Sequence, residues 1–154
     1  MRVDYGTEFP AGAQAMMAME KAVRGSGLEH SLLELVKIRA SQLNGCGYCL
    51  AMHARDARQR GEKQTRLDTV SAWRETPFFT AREQAALAWC EAMTELPQHG
   101  AADERYDALA KEFSSQEIAA LTFAIVAING WNRLSVGLEA DVTTLEGLDA
   151  TAVA

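Results

Sequence analysis

Apolar positions recur along this chain at the three- and four-residue intervals of helices, and no run alternates apolar with polar residues in the two-residue rhythm of a strand. Seven segments carry the pattern. The first opens at Pro10, a residue suited to a first helical turn, and runs to about Arg24. Ala11, Ala15, Met16 and Met19 form its apolar side, and Gly25-Ser26-Gly27 stops it. The second covers about 29–43, with Leu32, Leu35, Val36 and Leu43 on one face and Ala40 close by; Asn44-Gly45 breaks it. The third opens near Cys46 and closes at Gly61, and a short fourth covers about 63–73. Thr80 and Glu83 have capping-box spacing ahead of Ala85, Leu87, Ala88, Trp89 and Met93, in a helix that ends near Pro97. A sixth spans about 102–111. Ser114 and Glu117 repeat the capping pattern before a long apolar helix reaching about Leu138. The end of the chain, from about Gly147 to Ala154, is expected to fray.

The fold class this predicts is all-α, with about six or seven helices in one domain over 1–154 and a core over about 28–140. No linker or internal repeat divides it. The apolar faces are numerous for one small monomer to cover, which points to a homo-oligomer.

Composition narrows the function classes. The chain has 154 residues, 48% hydrophobic and 23% charged, the make-up of a soluble domain that can bury its own core. Its net charge is −6 and its basic residues are scattered, so no nucleic-acid footprint is visible. The longest apolar stretch, 118–128, is short of a membrane span. The opening MRVDYGTEFP lacks the apolar core of a secretion signal. The expectation is therefore a cytoplasmic protein without membrane contact. In that compartment a Cys pair is more often catalytic or metal-binding than a structural disulfide.

The candidate chemistry lies at Cys46, Cys49 and His53. Positions three and four apart share a helical face, so the three side chains are predicted to line one stripe. A thiol reacts as thiolate, and a helix N-terminus favours that negative charge. A histidine one turn on can relay a proton. A second thiol three residues away can capture a sulfenic acid as a disulfide. The spacing also allows a zinc site, since Cys46, Cys49, His53 and Glu34 are all ligand types zinc accepts. However, no second Cys/His pair exists and the cysteines open a helix rather than a turn. On spacing alone Glu34 reads as structural, because Ser31 and Glu34 fit a capping box. On a helix that folds back through Asn44-Gly45, its carboxylate could instead complete a proton relay.

At these residues the chain resembles the carboxymuconolactone decarboxylase-like superfamily, and within it the alkylhydroperoxidase D (AhpD) branch. Glu34, eleven residues, Cys46, two residues, Cys49, three residues and His53 match that branch position by position. Leu35-Val-Lys-Ile-Arg-Ala-Ser, Ala51-Met-His-Ala and Asn129-Gly-Trp-Asn-Arg133 are similar to it as well. The resemblance implies a helical fold that assembles as trimers or hexamers. It implies that Cys49 attacks a hydroperoxide and that Cys46 donates a proton and then resolves the sulfenic acid. Glu34 and His53 would form the relay, a lipoyl-linked or other thiol partner would reduce the disulfide, and no cofactor or metal would be bound. Tyr48 departs from the branch, which has a histidine there. That departure bears on the relay and on the reductant, and it favours a general disulfide reductase or thiol sensor as the alternative.

The remaining candidates read as structural. Cys90 is predicted to be a buried free thiol. Trp73, Trp89 and Trp131 read as core or interface residues. Asn129, Asn132 and Arg133 could cap or pair near the site, with packing or subunit contact the favoured role, and His30 and His99 read as loop or helix-end residues.

Overall fold

The fold is that of a computed structural model, which describes residues 1–100 and 103–148. Among the described residues it is all-helical, with nine α-helices and no strand. They are α1 (Tyr5–Glu8), α2 (Pro10–Arg24), α3 (His30–Leu43), α4 (Gly47–Gln59), α5 (Gln64–Thr69), α6 (Ala81–Thr94), α7 (Leu96–His99), α8 (Asp103–Glu112) and α9 (Ser115–Gly137). Two 3-10 stretches, Val70–Glu75 and Val142–Leu148, complete the order. The seven longer helices are those the hydrophobic pattern predicts. The two extra ones, α1 and α7, are single turns of 4 residues each, too short to carry a periodicity.

Local chemistry fixes most boundaries. Thr80 and Ser114 cap α6 and α9, each accepting from an N–H three residues on, and Glu83 and Glu117 bond back to the cap. The expected 63–73 helix is instead split: α5 ends at Thr69, where φ is −106, and the 3-10 stretch that follows is itself kinked at Ala72, with φ −118. The helix expected to end near Pro97 stops at Thr94, and Pro97 sits in the first turn of α7, where its missing N–H costs nothing. The expected start of α8 at Ala102 and the fraying beyond Leu148 lie outside the described residues.

Helix α3 is the axis of the molecule and packs against α4, α6 and α9. Leu32, Leu33, Val36 and Ala40 join a cluster with Trp89, Cys90, Leu121, Ile125 and Ile128 of α6 and α9. Leu35 and Ile38 join a second cluster with Ala57, Leu67, Val70, Trp73, Phe79 and Leu87. So α3 is buried on two sides, not along one stripe. Its polar Glu34, Lys37 and Ser41 are buried too, and each has a partner on another helix.

Candidate active site

The site is built on the turn between α3 and α4. Gly45 has φ +64, in the left-handed region where a side chain is strained, and it turns the chain back on itself. Asn44 locks the turn: its Nδ2 donates to Asn129 Oδ1 at 3.0 Å and to Asn132 Oδ1 at 2.9 Å, both on α9. Asn132 Nδ2 in turn donates to Ser41 Oγ at 3.1 Å. Arg133 Nη1 donates to the Asn129 carbonyl and to its Oδ1. Asn129 and Asn132 therefore hold the cysteine turn in place: they pair near the site, the role left open in sequence, rather than serving the favoured packing or subunit contact.

The turn delivers Cys46 to the N-cap of α4, one position before the helix expected to open there. Its Sγ takes the place of a capping oxygen and accepts the Cys49 N–H at 3.3 Å. Both thiols are free and buried. The Cys49 thiol hydrogen-bonds to the Cys46 sulfur, and this contact does most to bring the Cys46 thiol down to about 6. The Cys49 N–H, Asn132 and Ser135 assist, against the opposing effect of burial. Cys49 is pushed up, because Cys46 holds its proton and burial disfavours a second charge. Its Sγ also lies 3.6 Å from Ser135 Oγ. The pair thus gives up one proton readily and resists losing the other.

His53 stands one turn beyond Cys49, and its Nδ1 lies 2.7 Å from Glu34 Oε2. Both side chains are buried. The structure overturns the capping reading of Glu34: Glu29 occupies the N-cap position of α3, with no side-chain cap hydrogen bond, and the Glu34 carboxylate turns inward to His53. All four candidates, Glu34, Cys46, Cys49 and His53, are therefore brought together. Among the described residues no group of three His, Cys, Asp or Glu side chains is placed to hold a metal ion, and Glu34 is engaged with His53 instead.

A cavity of about 480 Å³ opens onto Cys49 and His53. Cys49, His53, Tyr48 and Ser135 line it, whereas Cys46 is not among the lining residues. Tyr5, Met17, Met52 and Trp131 supply apolar wall, and Glu20, Lys21 and Arg24 of α2 contribute charge. The rings of Tyr5 and Trp131 meet at 6.2 Å, so Trp131 belongs to the cavity wall, whereas Trp73 and Trp89 are core as read. Burial, with Tyr48 and Cys49 nearby, raises Tyr5 and keeps it a neutral phenol. Cys90 is enclosed as expected; burial pushes it up to about 12 and its thiol donates to the Val36 carbonyl. Ser135 was missing from the sequence reading, yet it lies three residues after Asn132, on the same face of α9, a spacing that could have found it.

Comparison with known proteins places the chain. The carboxymuconolactone decarboxylase family model matches residues 10–92. The uncharacterized protein YdfG of Bacillus subtilis is 38% identical over 137 residues, 89% of this chain and 93% of that one. A crystal structure from Agrobacterium tumefaciens, of a protein of unknown function suggested to be the antioxidant defence protein AhpD, superposes with a TM-score of 0.88. It is 41% identical and the match covers 91% of this chain and 96% of that chain. The debrominase Bmp8 shares the fold at a TM-score of 0.78 and 20% identity, over 86% of this chain and 72% of its own, so the fold serves more than one chemistry. The chain belongs to the carboxymuconolactone decarboxylase family, in its AhpD-like branch.

Proposed function

We propose that the protein is a dithiol peroxidase of antioxidant type, reducing an organic hydroperoxide through a Cys46–Cys49 cycle. One observation carries this reading: a low-pKa sulfur at a helix N-terminus is hydrogen-bonded to a second thiol that faces a cavity, one turn from a buried His–Glu pair. A proton shift along the sulfur–sulfur hydrogen bond makes Cys49 the thiolate and Cys46 the thiol. Cys49 attacks the peroxide, the O–O bond breaks, and Cys46 gives its proton to the departing alkoxide, which leaves as alcohol. Cys49 is now a sulfenic acid. The Cys46 thiolate attacks its sulfur, the disulfide forms, and hydroxide leaves as water with a proton from His53, replenished from solvent through Glu34. A dithiol reductant, such as a lipoyl-linked partner, then returns two electrons by thiol–disulfide exchange. Residence in the cytoplasm and assembly as trimers or hexamers belong to the same proposal. Exposed Phe123, Val126 and Val136 on α9 are apolar surface that assembly would cover.

The test is a peroxide pulse on reduced protein, followed by thiol titration and mass measurement. Two thiols are lost without added mass in the wild type, Cys49→Ser loses the reaction, and Cys46→Ser stops at a trappable sulfenic acid. No thiol loss in the wild type ends the reading. Tyr48, which lines the cavity where the branch has a histidine, favours a second reading as a disulfide reductase. Faster turnover of a small disulfide than of any hydroperoxide would select it.

A further inference from the structure

The cavity is too large and too uneven in character for a small neutral peroxide. A water occupies about 30 Å³ of liquid, so hydrogen peroxide would leave most of the roughly 480 Å³ unfilled. That volume suits a substrate of drug-like size. Its two ends differ. The deep end holds the buried Cys49 and His53, the walls carry the half-buried Met52 and Trp131, and Met17 adds exposed apolar surface toward the rim. The outer end holds Lys21 and Arg24, which line the cavity yet are exposed to solvent.

The charges at that end are unequal. Glu20 also lines the cavity, but its carboxylate is taken by the buried Lys37, whose Nζ lies 2.6 Å away. Lys21 and Arg24 make no ion pair or hydrogen bond through their side chains among the described residues. Both lie in the last turn of α2, where cations meet the terminal carbonyls favourably. That accounts for basic residues at this end of the helix, but not for their facing the cavity. The outcome is an apolar chamber with two uncommitted cations at its entrance.

We infer that the cavity takes an amphiphilic hydroperoxide, its apolar body against Met17, Met52 and Trp131 and its carboxylate head group at Lys21 and Arg24, with the peroxide bond at Cys49. The chemistry at Cys49 rests on the peroxidase reading; the recognition of an anionic amphiphile rests on the cavity. A guanidinium fork matches a carboxylate in two parallel hydrogen bonds, and a lysine adds a point charge.

The test compares a fatty-acid hydroperoxide with its methyl ester, with dithiothreitol as reductant and tert-butyl hydroperoxide as reference. The wild type prefers the acid over the ester in kcat/KM by about three- to tenfold, the range open to two exposed ion pairs. In the Lys21→Gln/Arg24→Gln double variant the ratio falls to about one, and in Lys21→Glu/Arg24→Glu it falls below one. An acid-to-ester ratio of one in the wild type, or a ratio unmoved by either double variant, overturns the inference. Calorimetry with decanoate and decanol separates recognition from reaction. Decanoate binds more tightly than decanol, and the preference fades in the double variants and at high salt. If no hydroperoxide is turned over, tert-butyl hydroperoxide included, while the decanoate preference holds, the peroxidase reading falls and the anionic amphiphile stands. Equal binding of decanoate and decanol removes the amphiphile whatever the turnover.

Discussion

One side-chain type takes three acidities in this chain, and the surroundings account for each. Cys46 sits at a helix N-cap with an N–H and a thiol pointed at it, and falls to about 6. Cys49 supplies that thiol hydrogen bond and goes up. Cys90 is fully enclosed, with the Val36 carbonyl and Thr94 within reach, and burial raises it to about 12. Because the charged form of Cys46 is the stabilised one, thiolate is present above about pH 6 and is lost as pH falls below that value. The rate of iodoacetamide alkylation, followed by mass, should therefore rise through a midpoint near 6. Ser135→Ala removes a hydroxyl that stabilises the anion. The midpoint should then move up by about half to one unit, since a unit corresponds to about 1.4 kcal/mol, near the strength of a hydrogen bond to a charged group. A midpoint that stays in place would show that Ser135 does not set the acidity. Cys46, Cys49 and His53 were legible from spacing because one helical face is a local property. Glu34 was not, since its partner lies 19 residues away on another helix and a capping box explained it equally well.

At the scale of elements, the same distinction decides what the sequence could show. The capping boxes at Thr80 and Ser114 were readable because each needs only residues three apart. Helix α3 was misread as one-faced because Glu34, Lys37 and Ser41 look like a solvent side until their partners on α4, α2 and α9 are known. The Asn44-Gly45 break was visible, but the two asparagines 85 and 88 residues away that hold it were not. That lock is the structural condition for the site, because it places Cys46 at the α4 cap. In Asn44→Ala, Asn132 Oδ1, on a residue only 1% exposed, loses the Asn44 donor, while Asn129 Oδ1 keeps Arg133. One buried acceptor unpaired and the other weakened should cost about 2–4 kcal/mol. Urea unfolding should show a lower midpoint at unchanged slope. The alkylation midpoint should rise as well, because the cap geometry loosens. Lost stability with an unmoved alkylation midpoint would mean that the lock supports the fold without setting the thiol.

For the whole molecule, the question is what keeps α2 over the site. Helix α2 packs on α9 and brings Met17, Lys21 and Arg24 to the cavity. Among the described residues its one ionic tie to α3 is the Glu20–Lys37 pair, at 2.6 Å with Lys37 1% exposed. A buried pair contributes little net stability, because desolvation offsets the attraction, but removing one partner leaves a charge stranded. Lys37→Met should therefore destabilise the protein by about 3–5 kcal/mol. Lys37→Met/Glu20→Met should recover most of that loss, since neither charge then remains in the interior. Thermal or urea unfolding of the two singles and the double completes the cycle. A double variant as unstable as Lys37→Met alone would show that the loss comes from packing around α3 and not from a stranded carboxylate. The same double variant removes the carboxylate from the cavity wall and leaves Lys21 and Arg24 there as the charged residues of α2. A fatty-acid hydroperoxide should then be used at least as well as by the wild type, measured as the ratio of kcat/KM for the acid to that for its methyl ester. A fall in that ratio would mean that Lys37 or Glu20, and not the entrance cations, reads the head group.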